Sequence, residues 1–568
     1  MPTVEFDLED LESLLTIKLP RKEDELNEIL AYVKGEVKQI NDKEAHVEFK
    51  DSNRADLWSI EGFSRALKGI LNIEKGLKDY KVVDDSRVEI HVDLRLKEIR
   101  PYIACSVVKG VNLTDAAIRQ IMRFQDKLDE TYGRGRRRTS IGLYNFDFIT
   151  PPLKYAVSKP EKTRFVPLEF EEELTLEEIL DRHPKGLKYA HLVRPYPVWP
   201  IFMDSAGKVL SFPPIINSND LGRITEGTVN ILVEVTGTSH KTVLDILKNV
   251  TLALADRGGK IYSTKIHYPY EDMSVEVTPN LETERFKIKV DYVKSILGLD
   301  LAPLEIKDLL ERFRYGISKV SRSYLTVEVP CYRVDVLHQI DIVEDVAIAY
   351  DYNKVQTRWP QLPTVGGLSE KTKFRDLAKE IMIGLGFQEV LTYSMTNPDV
   401  LFTKMNLKPE KVVEIANPKH TFMTCLRNWL LPSLMEFLSH NIHVEYPQKI
   451  FEIGSCVIHD EKQENKILEL DKVAAVTIHS NAGFTEAKSM LDAFLTDLGI
   501  CYDIEACHHD SFIDGRTGKM LVADEVIGII GEIHPQVLRN WNLENPAAAF
   551  EVDLDKLRVY LKKRGQNP

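Results

Sequence analysis

Alternating and helical hydrophobic patterns divide the chain into segments of mixed α and β structure. Apolar and polar residues alternate along Asn230–Val235, which predicts a strand half-buried in a sheet. A long apolar run from about Lys241 to Arg257 follows, and Gly258-Gly259 ends it, as expected of a buried helix. A strand followed closely by a long helix is typical of a domain in which helices cover a sheet.

The next segment has the pattern strand, helix, tight turn, helix, strand. Phe286 to Val290 alternates, Tyr292 to Leu297 has helical spacing, and a turn at Gly298 precedes a helix from Pro303 to Phe313. Two helices joined by a short glycine turn resemble a winged helix-turn-helix. Such a module binds nucleic acid in some proteins and is packing scaffold in others, and both interpretations stay open here.

The last third predicts an antiparallel sheet with helices. A helix from Lys373 to Leu385 is followed by strand-like Glu389 to Ser394, a further strand is expected at Lys449 to Gly454, and a final strand pair brackets Gly528 to Pro535. Because 568 residues exceed what one core supports, we expect several domains. The predicted fold class is α+β multidomain, with domains at 1–85, 86–275, 276–355 and 356–568.

A cluster of acids begins the helix predicted after the helix-turn-helix segment. The four carboxylates are Asp335, Asp341, Glu344 and Asp345. The apolar stripe expected on another side of this helix is Val336, Ile340, Val343, Ala347 and Tyr350. Asp335 stands where an N-cap is expected. Carboxylate oxygens are the ligands that Mg²⁺ prefers, but the spacing alone favours an N-cap followed by a solvated acidic face.

Composition narrows the classes of protein. A content of 43% hydrophobic and 28% charged residues is that of an ordinary globular protein, and no apolar run is long enough to span a membrane. A net charge of −13 excludes a general nucleic-acid-coating protein, so contact with RNA requires a local basic patch. The run Arg134–Arg138 is such a patch or else a solvated loop. Six scattered cysteines and an acidic start without a signal peptide predict a cytoplasmic protein.

The order of motifs along the chain points to one family. The motifs are Asn53-Arg54-x-Asp56-Leu57, Pro213-Pro214-Ile215-Ile216-Asn217-Ser218, the segment Asp335 to Asp345, Asn417-Pro418, Leu426-Arg427, Phe451-Glu452-Ile453-Gly454 and Gly531-Glu532-Ile533-His534-Pro535. Taken together over more than 500 residues, they resemble the β subunit of phenylalanyl-tRNA synthetase, in its archaeal and eukaryotic type.

This resemblance implies an (αβ)₂ heterotetramer that attaches phenylalanine to tRNA(Phe). The α chain of the family carries the class II aminoacylation site and binds most of the ATP, while the β chain carries a strand-rich proofreading domain and a degenerate class II synthetase-like domain. An active class II site needs two arginines to grip ATP. Here Arg427 is a candidate for the first, and the third-motif candidate, Val526 to Pro535, contains no arginine. We therefore expect the last domain to pack against the α subunit without catalysing aminoacylation.

The resemblance also implies two sites. The cluster Asp335, Asp341, Glu344 and Asp345 corresponds to a structural Mg²⁺ site that the family shares with its α subunit. A proofreading site that hydrolyses tyrosyl-tRNA(Phe) is expected in the second domain. Its candidate residues are Asn217, Ser218, Thr228, Glu234 and Thr236.

Within that set, Glu234 is expected to recognise the phenolic hydroxyl or to orient water, and Asn217 to form a polar wall. Ordinary loop and strand polarity is the alternative. Two other functions stay open on the residues alone: a non-catalytic nucleic-acid-binding scaffold, and a free-standing magnesium hydrolase that uses the acidic cluster. Since the chain ends soon after the class II-like domain, we expect anticodon recognition to lie in the α chain.

Overall fold

The computed structural model describes residues 2–84, 87–271 and 273–565. The chain forms two compact units, Met1–Arg358 and Trp359–Pro568. The predicted boundary between residues 85 and 86 lies outside the described residues. Because residues 1–358 form one contact unit, their division into three domains stays a prediction.

The N-terminal part of the first unit is a small antiparallel sheet, ordered β1-β3-β2, covered by helices. Its elements are β1 (Thr3–Asp7), α1 (Leu8–Leu15), α2 (Glu23–Leu30), β2 (Gly35–Ile40), β3 (Glu44–Phe49) and α3 (Ile60–Ile70). Phe6 and Phe63 stack with ring centroids 4.5 Å apart at its centre. Ser59 begins α3 by accepting a hydrogen bond from the Gly62 amide at 2.9 Å.

The middle of the unit contains two larger sheets. Its strands are β4 (Val82–Val83), β5 (Glu89–Val92), β6 (Tyr102–Lys109), β7 (Thr139–Asn145), β8 (Leu153–Ser158), β9 (Arg164–Phe165), β10 (Leu174–Thr175), β11 (Trp199–Met203), β12 (Val209–Phe212), β13 (Ile216–Asn217), β14 (Asn230–Gly237), β15 (Lys260–Tyr262), β16 (Thr264–Tyr270) and β17 (Met273–Thr278). Its helices are α4 (Asp115–Glu130), α5 (Leu176–Arg182), α6 (Pro184–Tyr189), α7 (Asn219–Gly222) and α8 (His240–Asp256).

These two sheets place β14 in a fully enclosed position. One sheet has the order β4-β15-β6-β14-β7 and the other β13-β12-β11-β8-β5-β16-β17. Strand β14 lies between β6 and β7, antiparallel to both, and α8 packs against it. Burial on both faces makes the polar side chain of Glu234 on this strand exceptional, since a buried carboxylate is costly unless it has a task or a partner.

The third part of the first unit has the predicted helix-turn-helix pattern. Its elements are β18 (Glu284–Lys289), α9 (Val290–Leu297), α10 (Pro303–Arg312), β19 (Gly316–Val320), β20 (Tyr324–Val329) and α11 (Gln339–Tyr350). Gly298 adopts the left-handed conformation, with φ 67°, that ends α9 and turns the chain. The strands form an antiparallel sheet in the order β18-β20-β19.

The second unit is built on a seven-stranded sheet ordered β21-β24-β25-β29-β28-β27-β26. Its elements are α12 (Glu370–Gly384), β21 (Gln388–Glu389), β22 (Met395–Thr396), α13 (Pro398–Leu401), β23 (Cys425–Leu426), α14 (Leu431–His440), β24 (Gln448–His459), β25 (Ile467–Ile478), α15 (Phe484–Asp497), β26 (Asp503–Ala506), β27 (Phe512–Val522), β28 (Glu525–Ile533), α16 (Pro535–Asn540), β29 (Ala547–Asp553) and α17 (Leu554–Lys563). All neighbouring strands are antiparallel except the β21–β24 pair at one edge.

Two predicted elements differ from the structure. The strand expected at Glu389 to Ser394 ends at Glu389, and Leu391 and Tyr393 lie largely exposed instead of pairing. Helix α11 begins at Gln339, with His338 as its N-cap, so Asp335 lies outside the helix. Consequently Val336 and Val343 are buried as expected, whereas Ile340 of the predicted apolar stripe is 38% exposed.

Candidate active site and acidic cluster

A cavity of about 410 Å³ opens in the middle part of the first unit. Helix α4, strands β7 and β14, and the loop that follows β12 surround it. Among the side chains that line it are Gln125, Ser140, Ser211, Asn217 and Glu234. Leucine and isoleucine side chains form much of the remaining wall. An apolar pocket with a few inward polar groups is the usual form of a small-molecule binding site.

Glu234 is the buried carboxylate of this cavity. Its side chain is 2% exposed, and its Oε2 accepts a hydrogen bond from the Tyr144 hydroxyl at 2.7 Å. The Tyr144 oxygen also lies 2.8 Å from Ser211 Oγ and 3.4 Å from Asn217 Oδ1. The other carboxylate oxygen, Glu234 Oε1, is buried and accepts no hydrogen bond of good geometry. The Thr236 side chain lies near enough to help lower the pKa of Glu234. An acceptor such as Oε1 favours a ligand that brings its own donor, because an unpaired buried oxygen costs about 1–3 kcal/mol.

The protonation of this pair follows from its burial. Burial raises the pKa of Glu234 to about 7, against the lowering effect of the hydrogen bond from Tyr144. Burial, reinforced by the neighbouring carboxylate, holds the pKa of the Tyr144 phenol well above its usual value. Tyr144 therefore keeps its proton and remains the donor. A carboxyl poised near neutrality in a pocket is typical of a functional site.

Glycine is required directly opposite Glu234. Gly142 is the residue of β7 in register with Glu234 of β14. A Cβ atom at Gly142 would overlap both the Tyr144 hydroxyl and Glu234 Oε2. The absence of a side chain at this position therefore lets the phenol and the carboxylate meet. A similar overlap with Asn217 explains the glycine at position 222.

A buried arginine holds the loop that forms one wall. Arg136 Nη1 donates to the carbonyls of Ile215 at 2.8 Å and Pro214 at 3.2 Å. Its Nε lies 2.9 Å from Asp129 Oδ2, and its guanidinium packs 4.7 Å from the Tyr189 ring centroid. Burial raises the pKa of Asp129 to about 7, although Arg136 acts in the opposite direction. Arg136 thus connects α4 to the cavity wall.

The five predicted proofreading residues lie in three different surroundings. Asn217 and Glu234 line the cavity, as expected. Thr236 lies on the same face of β14 but bonds to Ser140 and Arg100, behind the cavity wall.

Ser218 and Thr228 do not line the cavity, and their part in proofreading stays a prediction. Ser218 caps helix α7 through the Leu221 amide, and Thr228 closes a turn by accepting from the Thr225 amide at 3.0 Å. Both hydroxyls therefore stabilise local structure, a role that serine and threonine commonly take beside turns and helix starts.

Sequence reasoning missed Tyr144, Ser211 and Arg136. Tyr144 follows Gly142 on a buried strand, and its distance from Glu234 along the chain hid their contact. Arg136 belongs to the basic run predicted as a solvated loop or a phosphate contact, yet it is only 7% exposed. Arg134, Arg137 and Arg138 of the same run are exposed, and for these three the prediction of a solvated loop or a phosphate contact stays open.

The acidic cluster does not converge on one point. Arg333 Nη2 lies 2.7 Å from Asp335 and 2.8 Å from Asp345, and all three side chains are buried. Asp341 accepts the amides of Leu337 and His338, both at 2.8 Å, at the start of α11.

Glu344 is half-exposed and pairs with Lys34 at 2.7 Å. Each of the four carboxylates therefore has a protein partner. Across residues 2–84, 87–271 and 273–565, no three histidine, cysteine or acidic side chains are arranged to hold a metal. The residues do not fit a Mg²⁺ ion in this arrangement, because an arginine neutralises the two buried acids and the other two are directed elsewhere.

Comparison with known proteins decides the family. The model of the B5 domain of tRNA synthetases matches residues 286–352, and that of the phenylalanyl tRNA synthetase β chain CLM domain matches residues 355–554. The phenylalanine–tRNA ligase β subunit of Pyrococcus furiosus is 44% identical over 562 residues, which cover 98% of this chain and all of that one. The Methanocaldococcus jannaschii β subunit is 39% identical over 98% of this chain and all of that one.

The chain belongs to the phenylalanyl-tRNA synthetase β-subunit family.

A solved structure supports the fold. An N-terminal fragment of the phenylalanyl-tRNA synthetase β subunit from Pyrococcus horikoshii superimposes with a TM-score of 0.58 and 40% identity, covering 62% of this chain and all of that fragment. Of the predicted α+β multidomain fold class, the mixture of α and β structure in several sheets is thereby confirmed, and the finer domain descriptions stay predictions. As the β subunit of a phenylalanine–tRNA ligase, the chain works with an α partner and tRNA, in a reaction that uses ATP and Mg²⁺.

Within this family member, the B5 segment contains the helix-turn-helix. Its second helix, α10, is poorly suited to phosphate contact, since its most exposed side chains are Leu304, Glu305 and Asp308. The one lysine of this helix, Lys307, is partly buried and lies 3.7 Å from Glu311. Arg312 at its end is used internally, donating to the Ala349 carbonyl at 2.9 Å. The geometry of α10 therefore favours a packing role over a nucleic-acid-reading helix.

The segment matched by the CLM domain contains Arg427, the candidate for a nucleotide-gripping arginine. Arg427 is 2% exposed, and its Nη2 pairs with Glu452 at 2.8 Å. A guanidinium committed to a buried carboxylate is not free to bind a phosphate. Lys472, another cation of this segment, is also paired within the chain, because its Nζ lies 2.8 Å from Glu551 Oε1. No described helix is both long and apolar enough to cross a membrane.

Proposed function

We propose that the cavity around Glu234 is a proofreading site that hydrolyses tyrosyl-tRNA(Phe). The single observation that carries this proposal is the carboxylate of Glu234, which lines the cavity, is 2% exposed and has one oxygen without a hydrogen-bond partner. Tyrosine differs from phenylalanine by one phenolic hydroxyl, and that hydroxyl is a donor suited to this acceptor. The remaining wall is largely apolar, which suits an aromatic ring.

Discrimination at such a site follows from the cost of leaving Glu234 unpaired. The apolar pocket of an aminoacylation site rejects an amino acid with an added hydroxyl by only about 10²-fold, so a second site must remove the mischarged product. A site built to bind a hydroxyl rejects an analogue without it by about 10⁴–10⁵-fold, because its polar group then stays desolvated and unsatisfied. Phenylalanyl-tRNA is thus spared while tyrosyl-tRNA is bound.

The proposed reaction is hydrolysis of the ester between tyrosine and the terminal ribose. Water adds to the ester carbonyl, the bond to the ribose oxygen breaks, and that oxygen takes up a proton. In this reaction Glu234 binds the phenolic end of the tyrosine ring, and Arg136 fixes the loop that forms the cavity wall. Lys185 and the exposed Arg223 also line the cavity and supply positive charge where the RNA end would approach.

Aminoacylation itself is proposed to occur on the α subunit, which would bind most of the ATP. The internal pairing of Arg427 with Glu452 supports this division, since it removes the candidate nucleotide contact in this chain. We further propose the (αβ)₂ assembly and a cytoplasmic location for a protein that serves translation.

A Mg²⁺ ion shared with the α subunit at the acidic cluster would have to use Glu344 and Asp341, the two acids not held by Arg333, together with ligands from the partner. No step of the proposed reaction depends on it.

The test compares hydrolysis of tyrosyl- and phenylalanyl-tRNA(Phe) by the complete enzyme, before and after Glu234→Ala. We expect clearance of tyrosyl-tRNA to fall by at least 100-fold while phenylalanine attachment is unchanged. Glu171→Ala, an exposed acid outside the cavity, is the matched control. Unchanged clearance of tyrosyl-tRNA in the Glu234 variant would remove Glu234 from the site.

A further inference from the structure

The outward face of the β18-β20-β19 sheet carries a concentration of positive charge on an acidic chain. Side chains alternate along β18, so Ile288 points inward while Lys287 and Lys289 are exposed. On the neighbouring strands, Lys319 and Tyr324 lie on the same outward side, in register with Thr326 and Lys289 respectively. We call the surface formed by Lys287, Lys289, Lys319 and Tyr324 the Tyr324 face.

The cations of the Tyr324 face have no acidic partners. Within the described residues, no carboxylate lies within 4.0 Å of the Nζ atom of Lys287, Lys289 or Lys319. The one acid on this side of the sheet, Glu328, is taken by Arg285 at 3.0 Å. Three unpaired lysines gathered on one face of a three-stranded sheet repel one another, and an anion would relieve that repulsion.

Two of the lysines contact the ring of Tyr324. Lys287 Nζ lies 4.1 Å from the centroid of its ring, and Lys319 Nζ lies 5.5 Å from it. Each contact is a cation–π interaction that orients the ammonium group over the sheet. Lys319 beside the phenol also lowers the pKa of Tyr324. Arg322, exposed in the turn between β19 and β20, adds a further charge at the edge of the face.

We propose that the Tyr324 face binds the phosphodiester backbone of the tRNA that the enzyme charges. Lys287 and Lys289 stand about 7 Å apart along β18, and Lys319 lies about 10 Å away on the far side of β20, so the face presents a small two-dimensional array of positive charge. An acidic chain binds RNA through such local patches. The face carries one aromatic ring and no pattern of base-reading groups, so the contact is to the backbone and is independent of sequence.

The Tyr324 face is a different surface of the B5 segment from helix α10, the helix that a typical helix-turn-helix protein places against nucleic acid. Helix α10 exposes acidic and apolar groups, whereas the sheet that follows it exposes lysines. The proposal goes beyond proofreading, because it concerns the affinity of the whole enzyme for tRNA and stands whether or not the Glu234 cavity hydrolyses tyrosyl-tRNA.

The test measures binding of tRNA(Phe) to the complete α-and-β enzyme as a function of salt concentration. The variant is Lys287→Gln with Lys289→Gln and Lys319→Gln, and the control removes the same charge at three exposed, scattered lysines, Lys18, Lys43 and Lys159. We expect the first variant to bind about tenfold more weakly near physiological salt and to lower the slope of log affinity against log salt by about 2, as the loss of two to three phosphate contacts requires. The control should change neither quantity by as much.

A second measurement uses the unaltered enzyme, so its result does not depend on whether the triple variant folds. In the unaltered enzyme, tRNA(Phe) should protect Lys287, Lys289 and Lys319 from acetylation, as read by mass spectrometry. Unchanged affinity and slope in the triple variant, or no protection, would overturn the proposal. Weaker association with the α subunit at unchanged tRNA affinity would also overturn it, since the face would then serve a protein partner. Loss of tyrosyl-tRNA hydrolysis alone bears on the cavity and not on this face.

Discussion

At the scale of single residues, Glu234 and its three neighbours form a unit that depends on a missing side chain. Gly142 leaves space for the Tyr144 hydroxyl to reach Glu234 Oε2, and Ser211 completes the bonding of the phenol. One carboxylate oxygen is thus satisfied within the protein, and the other is left for a ligand. Because the pair is buried, removing either polar partner without the other would leave an unpaired group.

The titration of Glu234 predicts an effect on stability. Its pKa rises from an ordinary 4.5 to about 7 on folding, so between these values the folded chain holds a proton that the unfolded chain has released. Stability therefore falls as pH rises through this window. Glu234→Gln cannot ionise, and we expect it to be more stable than the parent at pH 8 by on the order of 2–3 kcal/mol, with a smaller gain at pH 5.

Urea unfolding of the parent and variant at the two pH values measures this difference. The exposed substitution Glu171→Gln is the control and should show no comparable change with pH. An equal effect of Glu234→Gln at pH 5 and pH 8 would contradict the assigned titration.

At the scale of elements, the loop between β12 and α7 depends on one arginine from outside it. Arg136 lies beyond the end of α4 and binds two successive carbonyls of the loop, those of Pro214 and Ile215. Its own charge is balanced by Asp129 of α4. The wall of the cavity is therefore fixed by a contact that crosses about eighty residues of chain.

Arg136→Met should loosen this wall. The change leaves Asp129 buried without a cation and two carbonyls without a donor, which we expect to cost about 3–5 kcal/mol. In the complete enzyme, we also expect the KM for hydrolysis of tyrosyl-tRNA to rise. Thermal unfolding and steady-state hydrolysis measure the two effects.

Arg137→Met is the matched control, because Arg137 is exposed and such changes usually stay within about 0.5 kcal/mol. Equal behaviour of the two variants would show that Arg136 does not hold the loop.

Local patterns predicted the elements better than the site. The apolar run after Lys241 gave helix α8 to within a residue or two, and alternation gave β14 with Glu234 on it. The partners of Glu234 could not be predicted in the same way, since Tyr144 and Ser211 come from strands far away in sequence.

A run of arginines looks solvated whatever its fold, and only tertiary packing buries Arg136. Asp335 was expected to cap a helix because it precedes an apolar stripe. In the structure, Arg333 binds it instead, and the helix starts four residues later at Gln339.

At the scale of the whole molecule, buried ion pairs connect the parts of the first unit. Arg257, at the end of α8, donates to Asp10 of α1 at 2.6 and 2.7 Å and to Glu61 of α3 at 2.6 Å. Farther along the same contact, Arg65 binds Asp256 at 2.6 Å. These bonds join helices α1 and α3 of the N-terminal part to the end of α8 in the middle part, within the compact unit of residues 1–358.

Arg257→Met should destabilise the first unit as a whole. Two acids, each nearly buried, lose their cation, and we expect a cost of about 3–5 kcal/mol. Calorimetry should show a lower unfolding temperature for the transition of the first unit, with that of residues 359–568 unmoved.

For comparison, Arg119→Met breaks an exposed pair with Asp115 on α4, whose expected contribution is about 0–1 kcal/mol. A shift of both transitions, or of neither, in the Arg257 variant would contradict the proposed role.

The unpaired oxygen of Glu234 has a consequence for synthetic amino acids. Under the proposed function, what the cavity selects is the ability of the para substituent to donate a hydrogen bond, and its size matters less. A para-amino analogue of phenylalanine would then be cleaved from tRNA as tyrosine is, whereas a para-fluoro analogue of similar bulk, having no donor, would be retained and enter protein. When unnatural amino acids are introduced at phenylalanine codons, the site would therefore remove those whose rings carry a para hydrogen-bond donor.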